Sequence, residues 1–312
     1  MQKWNIDQLP SQSGRVAIVT GANSGIGYET ALSLAQKDIQ VILACRNMEK
    51  AGEAKYKISK KYPRAQIKTM KVDVSSLRSV EDFVGKFKQQ YDRIDLLINN
   101  AGIMMSPHKV TEDGFENQLA TNYLGHFVLT GRLLPLLTAT SGARVVTLSS
   151  LSYKWAEIQF DDFHFERGYS KTKAYGQSKR ACLMFAFELQ RRLAANGYDT
   201  RSVAAHPGLS NTNLDQYFPA LIRPLGALFL QDAKKGVRSV LYAALAEDIK
   251  GGEFIGPNGF QQMRGYPTKV DADDYAKNSQ TAARLWQATE AMTGTHYLGE
   301  SSNQQKPAGN KL

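Results

Sequence analysis

Cysteine is scarce, with only Cys45 and Cys182 in 312 residues. One falls in an apolar strand pattern and the other in a helical one, without a C-x-x-C. That excludes a disulfide-stapled scaffold and leads us to expect reduced thiols in the cytoplasm. Histidine is thin as well. His108, His126, His164, His206 and His296 are scattered and form neither H-E-x-x-H nor a Cys/His cluster, so no catalytic metal is expected. No apolar run approaches the ~18 residues of a membrane span. The first fifteen residues, which include Trp4, Asp7 and Pro10, lack a signal peptide's charged start and apolar core. The chain is therefore expected to have no membrane span and to stay in the cytoplasm. Neither a G-x-S-x-G elbow nor a G-x-x-x-x-G-K-[ST] loop occurs, which weakens hydrolase and nucleoside-triphosphatase readings.

Charge is not scarce, but it is one-sided. Lys plus Arg number 39 against 29 Asp plus Glu, a net charge of +10, so a nucleic-acid partner has to be weighed. The densest basic stretch runs from Lys55 to Arg64 and on to Lys68 and Lys71, with only Tyr56 and Tyr62 as interleaved aromatics. It reads as a solvated helix face, and no nucleic-acid partner is expected. The 42% hydrophobic and 22% charged fractions are those of an ordinary globular protein.

Short β-branched runs alternate with helix-period stretches, the pattern of a doubly wound parallel sheet. Strands are expected over residues 16–19, 40–44, 67–72, 96–99, 144–148 and 201–205, with a weaker one near 253–255. Helices are expected over 26–37, 48–61, 80–91, 114–137, 172–195, 233–246 and 274–292. No Pro-, Gly- or Ser-rich linker divides them. The expected fold is one Rossmann-type α/β domain over 13–300, a parallel sheet of about seven strands flanked by helices. Residues 1–12 form a leading arm and 301–312 a flexible tail. A segment over 209–232 interrupts the pattern and reads as a lid.

The first strand runs into Thr20-Gly21-Ala22-Asn23-Ser24-Gly25-Ile26-Gly27, after which a helix begins. Glycines allow a sharp turn and bring bare N–H groups against a pyrophosphate, toward which the helix directs its positive end. The spacing G-x-x-x-G-x-G is not the G-x-G-x-x-G fingerprint. The second strand ends in Cys45-Arg46-Asn47, where an NAD site would place a carboxylate for the ribose 2′-hydroxyl. A guanidinium suits a 2′-phosphate instead, so NADP(H) is expected, with Ser24 as a further donor. Asp73 and Val74 end the third strand where they can meet the adenine, although a helix cap is an alternative role for Asp73. Asn99-Asn100-Ala101-Gly102 ends the fourth at another ligand-binding edge.

Carbonyl reduction needs an acid for the developing alkoxide, and a phenol can serve if a neighbouring cation favours its ionised form. Tyr175 and Lys179, four apart in a helical stretch, share a face. The fifth strand ends in Ser149-Ser150, of which Ser150 is chosen to steady the substrate oxygen. Asn122 is a poor helix former inside a helical stretch, and its amide is placed to disturb the backbone and hold a water for proton relay.

These residues together resemble the short-chain dehydrogenase/reductase family from about Gly14 to Gly256, through Thr20-Gly21-x-x-x-Gly25-x-Gly27, Asp73, Asn99-Asn100-Ala101-Gly102, Asn122, Ser150, Tyr175-x-x-x-Lys179 and Pro207-Gly208. The resemblance implies Tyr175 as acid/base, Ser150 as substrate stabiliser and Asn122 in a water relay. It implies that Lys179 binds the nicotinamide ribose and favours ionised Tyr175, and that Pro207, Gly208 and Thr212 border the nicotinamide. Ala44-Cys45-Arg46, Asn122-Tyr123-Leu124-Gly125-His126-Phe127 and Ala174-Tyr175-Gly176-Gln177-Ser178-Lys179 most resemble the retinol dehydrogenase-like branch, which adjoins light-dependent protochlorophyllide reductases. A homodimer or homotetramer is in keeping with the family. Leu221, Ile222, Leu225, Ala227, Leu228, Phe229 and Leu230 would make an apolar lid for a lipophilic carbonyl or alcohol. A non-catalytic NADP(H)-binding sensor and a ring or enone reductase are the alternatives.

Overall fold

Val16–Thr20 is a strand whose five side chains are all buried, which requires cover on both faces. The computed structural model, which describes residues 4–208 and 233–298, supplies it. Among the described residues the strands are β1 (Val16–Thr20), β2 (Gln40–Cys45), β3 (Ile67–Lys71), β4 (Leu96–Asn99), β5 (Arg144–Leu148), β6 (Arg201–Ala205), β7 (Phe254–Pro257) and β8 (Pro267–Val270). They form one sheet in the order β3-β2-β1-β4-β5-β6-β7-β8. Pairing is parallel from β3 to β7, and β8 lies antiparallel on β7. Sequence order reverses between β1 and β4, so their carboxyl ends open the crevice where such sheets bind ligands.

Alternate side chains of each strand enter opposite cores. On one face Ile18, Ile42, Leu97 and Val145 meet side chains such as Phe83, Leu129, Leu183 and Trp286. On the other, Val19, Leu43, Ile98 and Val146 meet Ile26, Ile58 and Val240. The helices that carry these residues are α1 (Gly25–Ala35), α2 (Met48–Lys61), α3 (Leu77–Lys88), α4 (Asn117–Leu119), α5 (Gly125–Ala139), α6 (Lys171–Ala195), α7 (Ala233–Leu245), α8 (Asp274–Lys277) and α9 (Ser279–Thr293). Only Ala51, Ala54 and Ile58 of α2 are buried, so its lysines belong to a solvated face.

Three differences from the expected pattern have local causes. The eighth strand opens with Pro267 and is only half-buried, so it carries no continuous apolar run; as an edge strand it can accept a proline. The helix expected over 274–292 is two helices, because Asn278 is extended (φ −66°, ψ 114°) and its side chain accepts the Thr281 N–H at 2.8 Å to start α9. The helix expected from 114 begins at Asn117 and widens into a π turn at Ala120–Leu124 before α5. In the leading arm, Lys37 donates to the carbonyls of Asp7 and Leu9 at 3.1 and 2.8 Å, and Trp4 meets Tyr242 edge-on. The lid expected over 209–232 and the tail over 301–312 lie outside the described residues.

Candidate active site

At the end of β1, Gly21 turns at φ +65° and Gly25 at φ +55°. A Cβ on Gly21 would lie 3.0 Å from the Ala101 Cα, and one on Gly27 would lie 2.4 Å from the Gly21 carbonyl oxygen. The glycines therefore pack the turn, the start of α1 and the β4 turn closer than side chains permit. Ser24 makes no side-chain capping bond to α1, and no acidic residue stands in its first turn. By contrast Asn47, Ser76 and Ser170 cap α2, α3 and α6. The uncapped end of α1, with Asn23, Ser24 and Ile26 beside it, suits a pyrophosphate. Arg46, its side chain 73% exposed, lies at the end of β2 within 3.5 Å of Asp73. That Asp73 carboxylate accepts the Ser75 N–H and hydroxyl at 3.0 and 2.6 Å. It folds its own turn, while Ser76 caps α3. Val74 is buried, and a Cβ on Gly125 would stand 1.8 Å from its carbonyl oxygen, so α5 presses against the end of β3.

Thr20 ties the two sides of the crevice together. Its Oγ accepts the N–H of Asn100 and of Ala101, each at 2.9 Å, and its carbonyl accepts from the Asn100 amide at 2.7 Å. Next comes Gly102, where a Cβ would lie 3.0 Å from Asn122 Oδ1 and 3.5 Å from Lys179 Nζ. Asn122 sits in the π turn. Its Oδ1 accepts the Ile103 N–H at 2.8 Å, and its Nδ2 donates to the Ile103 carbonyl at 3.0 Å and to Ser178 Oγ at 2.8 Å. The Asn122 backbone carbonyl faces His126 Nδ1 at 3.0 Å and Cys182 Sγ at 3.1 Å. Two donors occupy that carbonyl, so the oxygen left for a further donor is Oδ1, on the side of Gly102 and Lys179.

Ser170 caps α6, which carries Tyr175 (8% exposed) and Lys179 (7% exposed) across the carboxyl end of β5. Lys179 donates from Nζ to the Leu148 carbonyl at 3.1 Å. Ser149 is buried and spends its hydroxyl on the Lys179 carbonyl at 2.8 Å. Ser150 is only half-buried and caps a short 3-10 turn, Leu151–Trp155, by accepting the Ser152 N–H at 3.3 Å. A Cβ on Gly176 would stand 3.0 Å from both the Ser152 carbonyl oxygen and the Trp155 Cβ. The helix bearing Tyr175 thereby lies directly on the segment that follows Ser150, and the Trp155 and Tyr175 rings are 6.2 Å apart. Pro207 and Gly208 follow β6. Gly208 turns at φ +73°, its N–H donates to His206 Nδ1 at 3.2 Å, and a Cβ there would strike the Met263 carbonyl at 2.3 Å. Thr212 lies outside the described residues.

The crevice thus gathers Gly21, Gly25, Gly27, Asn100, Ala101, Gly102, Asn122 and Lys179, with Arg46 and Asp73 at one rim. Sequence reasoning passed over Thr20, His126, Gly125 and Gly176. The glycines at 125 and 176 stand inside helices, where glycine is unfavourable without a packing reason; that was the legible signal. Among the described residues no group of three His, Cys, Asp or Glu side chains is placed to hold a metal ion, and no helix is long and apolar enough to cross a membrane.

Known proteins share both the sequence and the fold. The family pattern described as short chain dehydrogenase matches residues 15–220. Retinol dehydrogenase 13 of Homo sapiens is 37% identical over 293 residues, 90% of this chain and 85% of that protein. Retinol dehydrogenase 12 of Mus musculus is 36% identical, covering 93% and 89%. An uncharacterized protein from Mycobacterium paratuberculosis has a crystal structure with TM-score 0.79 at 40% identity, covering 94% of this chain and 98% of that one. A protein from Shigella flexneri 2a described as a short chain dehydrogenase complexed with NADP has TM-score 0.62 at 23% identity, covering 78% and 96%.

Proposed function

The chain belongs to the short-chain dehydrogenase family, beside relatives named retinol dehydrogenases, and from that premise we propose an NADP(H)-dependent oxidoreductase that interconverts a carbonyl and an alcohol on a lipophilic small molecule. The observation that carries the reading is α6 lying over the end of β5: Gly176 lets it touch the segment after Ser150, and Lys179 reaches the Leu148 carbonyl. Two features support NADP(H). Gly21 and Gly27 let the turn pack closely on the start of α1, whose uncapped end suits the pyrophosphate, and Arg46 stands exposed at the β2 rim for a 2′-phosphate. Similar proteins agree with this: a structural neighbour is complexed with NADP, and relatives carry retinol in their names.

When bound, the cofactor supplies or accepts the hydride. In reduction Tyr175 gives its proton to the developing alkoxide, and Ser150 donates a hydrogen bond to the same oxygen. The Lys179 ammonium then stabilises the phenolate that remains. A proton returns through a water held by the oxygen of Asn122 that faces Gly102 and Lys179. Asn23, Ile26, Asp73, Val74, Asn100, Ala101 and Gly102 line the cofactor side, and Pro207, Gly208 and Thr212 border the nicotinamide.

NADPH oxidation against a panel of aliphatic, polyene and aromatic aldehydes and ketones tests the reading. Wild type is expected to turn over the lipophilic members. Tyr175→Phe is expected to bind NADPH as before, by fluorescence titration, while losing about 10²- to 10⁴-fold in kcat. A wild type that binds NADPH and reduces none of them would leave a non-catalytic NADP(H)-binding protein.

A further inference from the structure

His126 is 1% exposed and lies on α5, one turn beyond Asn122. Its two ring nitrogens have assigned partners. Nδ1 lies 3.0 Å from the Asn122 carbonyl oxygen, which can only accept, so Nδ1 carries the proton. Nε2 is then the acceptor for the Thr20 hydroxyl at 2.9 Å, closer than the competing Ile98 carbonyl at 3.3 Å. That leaves both remaining lone pairs of Thr20 Oγ for the Asn100 and Ala101 N–H groups. The sequence Thr20, Asn100–Ala101, Ile103, Asn122, His126 and back to Thr20 is a closed ring, because Ile103 exchanges both backbone bonds with the Asn122 amide. Every member is buried or half-buried and hydrogen-bonded. A charged imidazole would lose its Nε2 acceptor and break this circuit; burial and the Lys179 charge on the facing α6 both disfavour it.

We propose that His126, neutral and protonated on Nδ1, is a positioning residue that closes a hydrogen-bonded ring from the cofactor turn at Thr20 to the proton relay at Asn122. The ring makes the β1 and β4 turns one rigid unit with the π turn. A shift of the turns on cofactor binding is passed to Asn122 and so to the oxygen beside Lys179. This inference rests on the oxidoreductase reading only for its kinetic consequence; the ring itself is read without turnover.

Two measurements test it on the full chain. In protein labelled with ¹⁵N-histidine, the His126 nitrogens are expected to report a neutral ring with the proton on Nδ1 at pH 7; a proton on Nε2 or an imidazolium would overturn the proposal. Thr20→Val, which removes the hydroxyl at nearly constant volume, is expected to move the Asn122 side-chain amide resonances, and the same change in a His126→Phe background to move them less, because only the arm through Asn100, Ala101 and Ile103 then joins the two. If Thr20→Val does not fold, His126→Phe against His126→Asn, which keeps a donor at the Nδ1 position, gives the same comparison. Equal Asn122 resonances in all variants would refute the ring. In turnover, His126→Phe is expected to lose about ten- to a hundredfold in kcat and to displace its pH profile with KM little changed. His126→Asn and His126→Gln each restore part of that loss. Wild-type kcat and pH profile in a folded His126→Phe would leave His126 a packing residue. A wild type without turnover would overturn the proposed function while the resonance test still decides the ring.

Discussion

At the scale of single residues, two buried histidines use opposite tautomers because their neighbours differ. His126 faces a carbonyl at Nδ1. His206 instead receives the Gly208 N–H on Nδ1, so its proton sits on Nε2 toward Gln262 Oε1 at 3.1 Å. Burial pushes both rings down to about 4. The folded state then binds a proton less readily than the unfolded chain, whose histidines titrate near 6.5. The stability each neutral ring contributes is complete above about pH 6.5 and is lost as pH falls toward 4, on the order of 3 kcal/mol per ring. Urea midpoints measured from pH 7 to pH 4 are expected to fall steeply over that window, and His206→Gln to flatten the fall. Arg46 behaves differently, since its ion pair with Asp73 is solvent-screened and adds little stability. Arg46→Ala is expected to leave Tm unchanged and to raise KM for NADPH about ten- to a hundredfold, with KM for NADH nearly constant.

At the scale of elements, the site depends on helices that approach where a side chain would block them. Gly125 begins α5 directly after the π turn, and its missing Cβ lets the helix meet Val74 at the end of β3. Gly125→Ala would place a carbon 1.8 Å from the Val74 carbonyl oxygen, and backbone has to move on one side. The expected loss is about 3 kcal/mol in urea denaturation, with weaker NADPH binding because Asp73 and Val74 shift with it. Gly176 has the same role for α6, at the gentler distance of 3.0 Å. The π turn is itself a widened helix, the form in which one extra residue is accommodated and often put to use. Here it presents the Asn122 amide to Ile103 while the carbonyl goes to His126 and Cys182.

Across the whole molecule, Arg180 connects the active-site helix to the carboxyl-terminal part of the chain. It follows Lys179 on α6, donates from Nε to the Tyr153 and Ala156 carbonyls at 3.0 and 2.7 Å, and forks onto Asp273 at 2.8 and 3.0 Å. Its guanidinium lies against the rings of Tyr153 and Tyr275, 5.3 and 4.9 Å from their centres. Burial alone would raise the Asp273 carboxyl, yet the Arg180 bonds and the Ala276 N–H carry it below its ordinary value. A carboxyl lowered in the folded state stabilises the fold above the ordinary carboxylate range, and that contribution declines as pH falls below it and is gone only below the lowered folded-state value. Arg180→Met is expected to cost about 2 kcal/mol at pH 7 and less at pH 3, where the ion pair weakens while the lost bonds to the Tyr153 and Ala156 carbonyls still count, in denaturation curves at the two pH values. This acid limb lies below the histidine window, so the two are separable.

Much of this was legible along the chain. β1, β2, β4, β5 and β6 fell where apolar-rich runs stood, because parallel strands covered on both faces are largely apolar, while β3 at the sheet edge buries only Ile67. Glycines at a strand-to-helix turn and the Tyr175–Lys179 spacing were readable because each is local chemistry at a regular interval. Nothing local could announce β8, whose short edge strand owes its place to pairing with β7. Nor could anything local announce that the Ser149 hydroxyl goes to the Lys179 carbonyl, 30 residues away. The ring through His126 spans partners 106 residues apart, and the Arg180–Asp273 link spans 93. Sequence alone determined where most of the elements form and which side chains they carry, since both depend on near neighbours. Only the tertiary structure decided which hydrogen-bond partner each polar group receives, because burial removes water and leaves the folded chain to supply the partner.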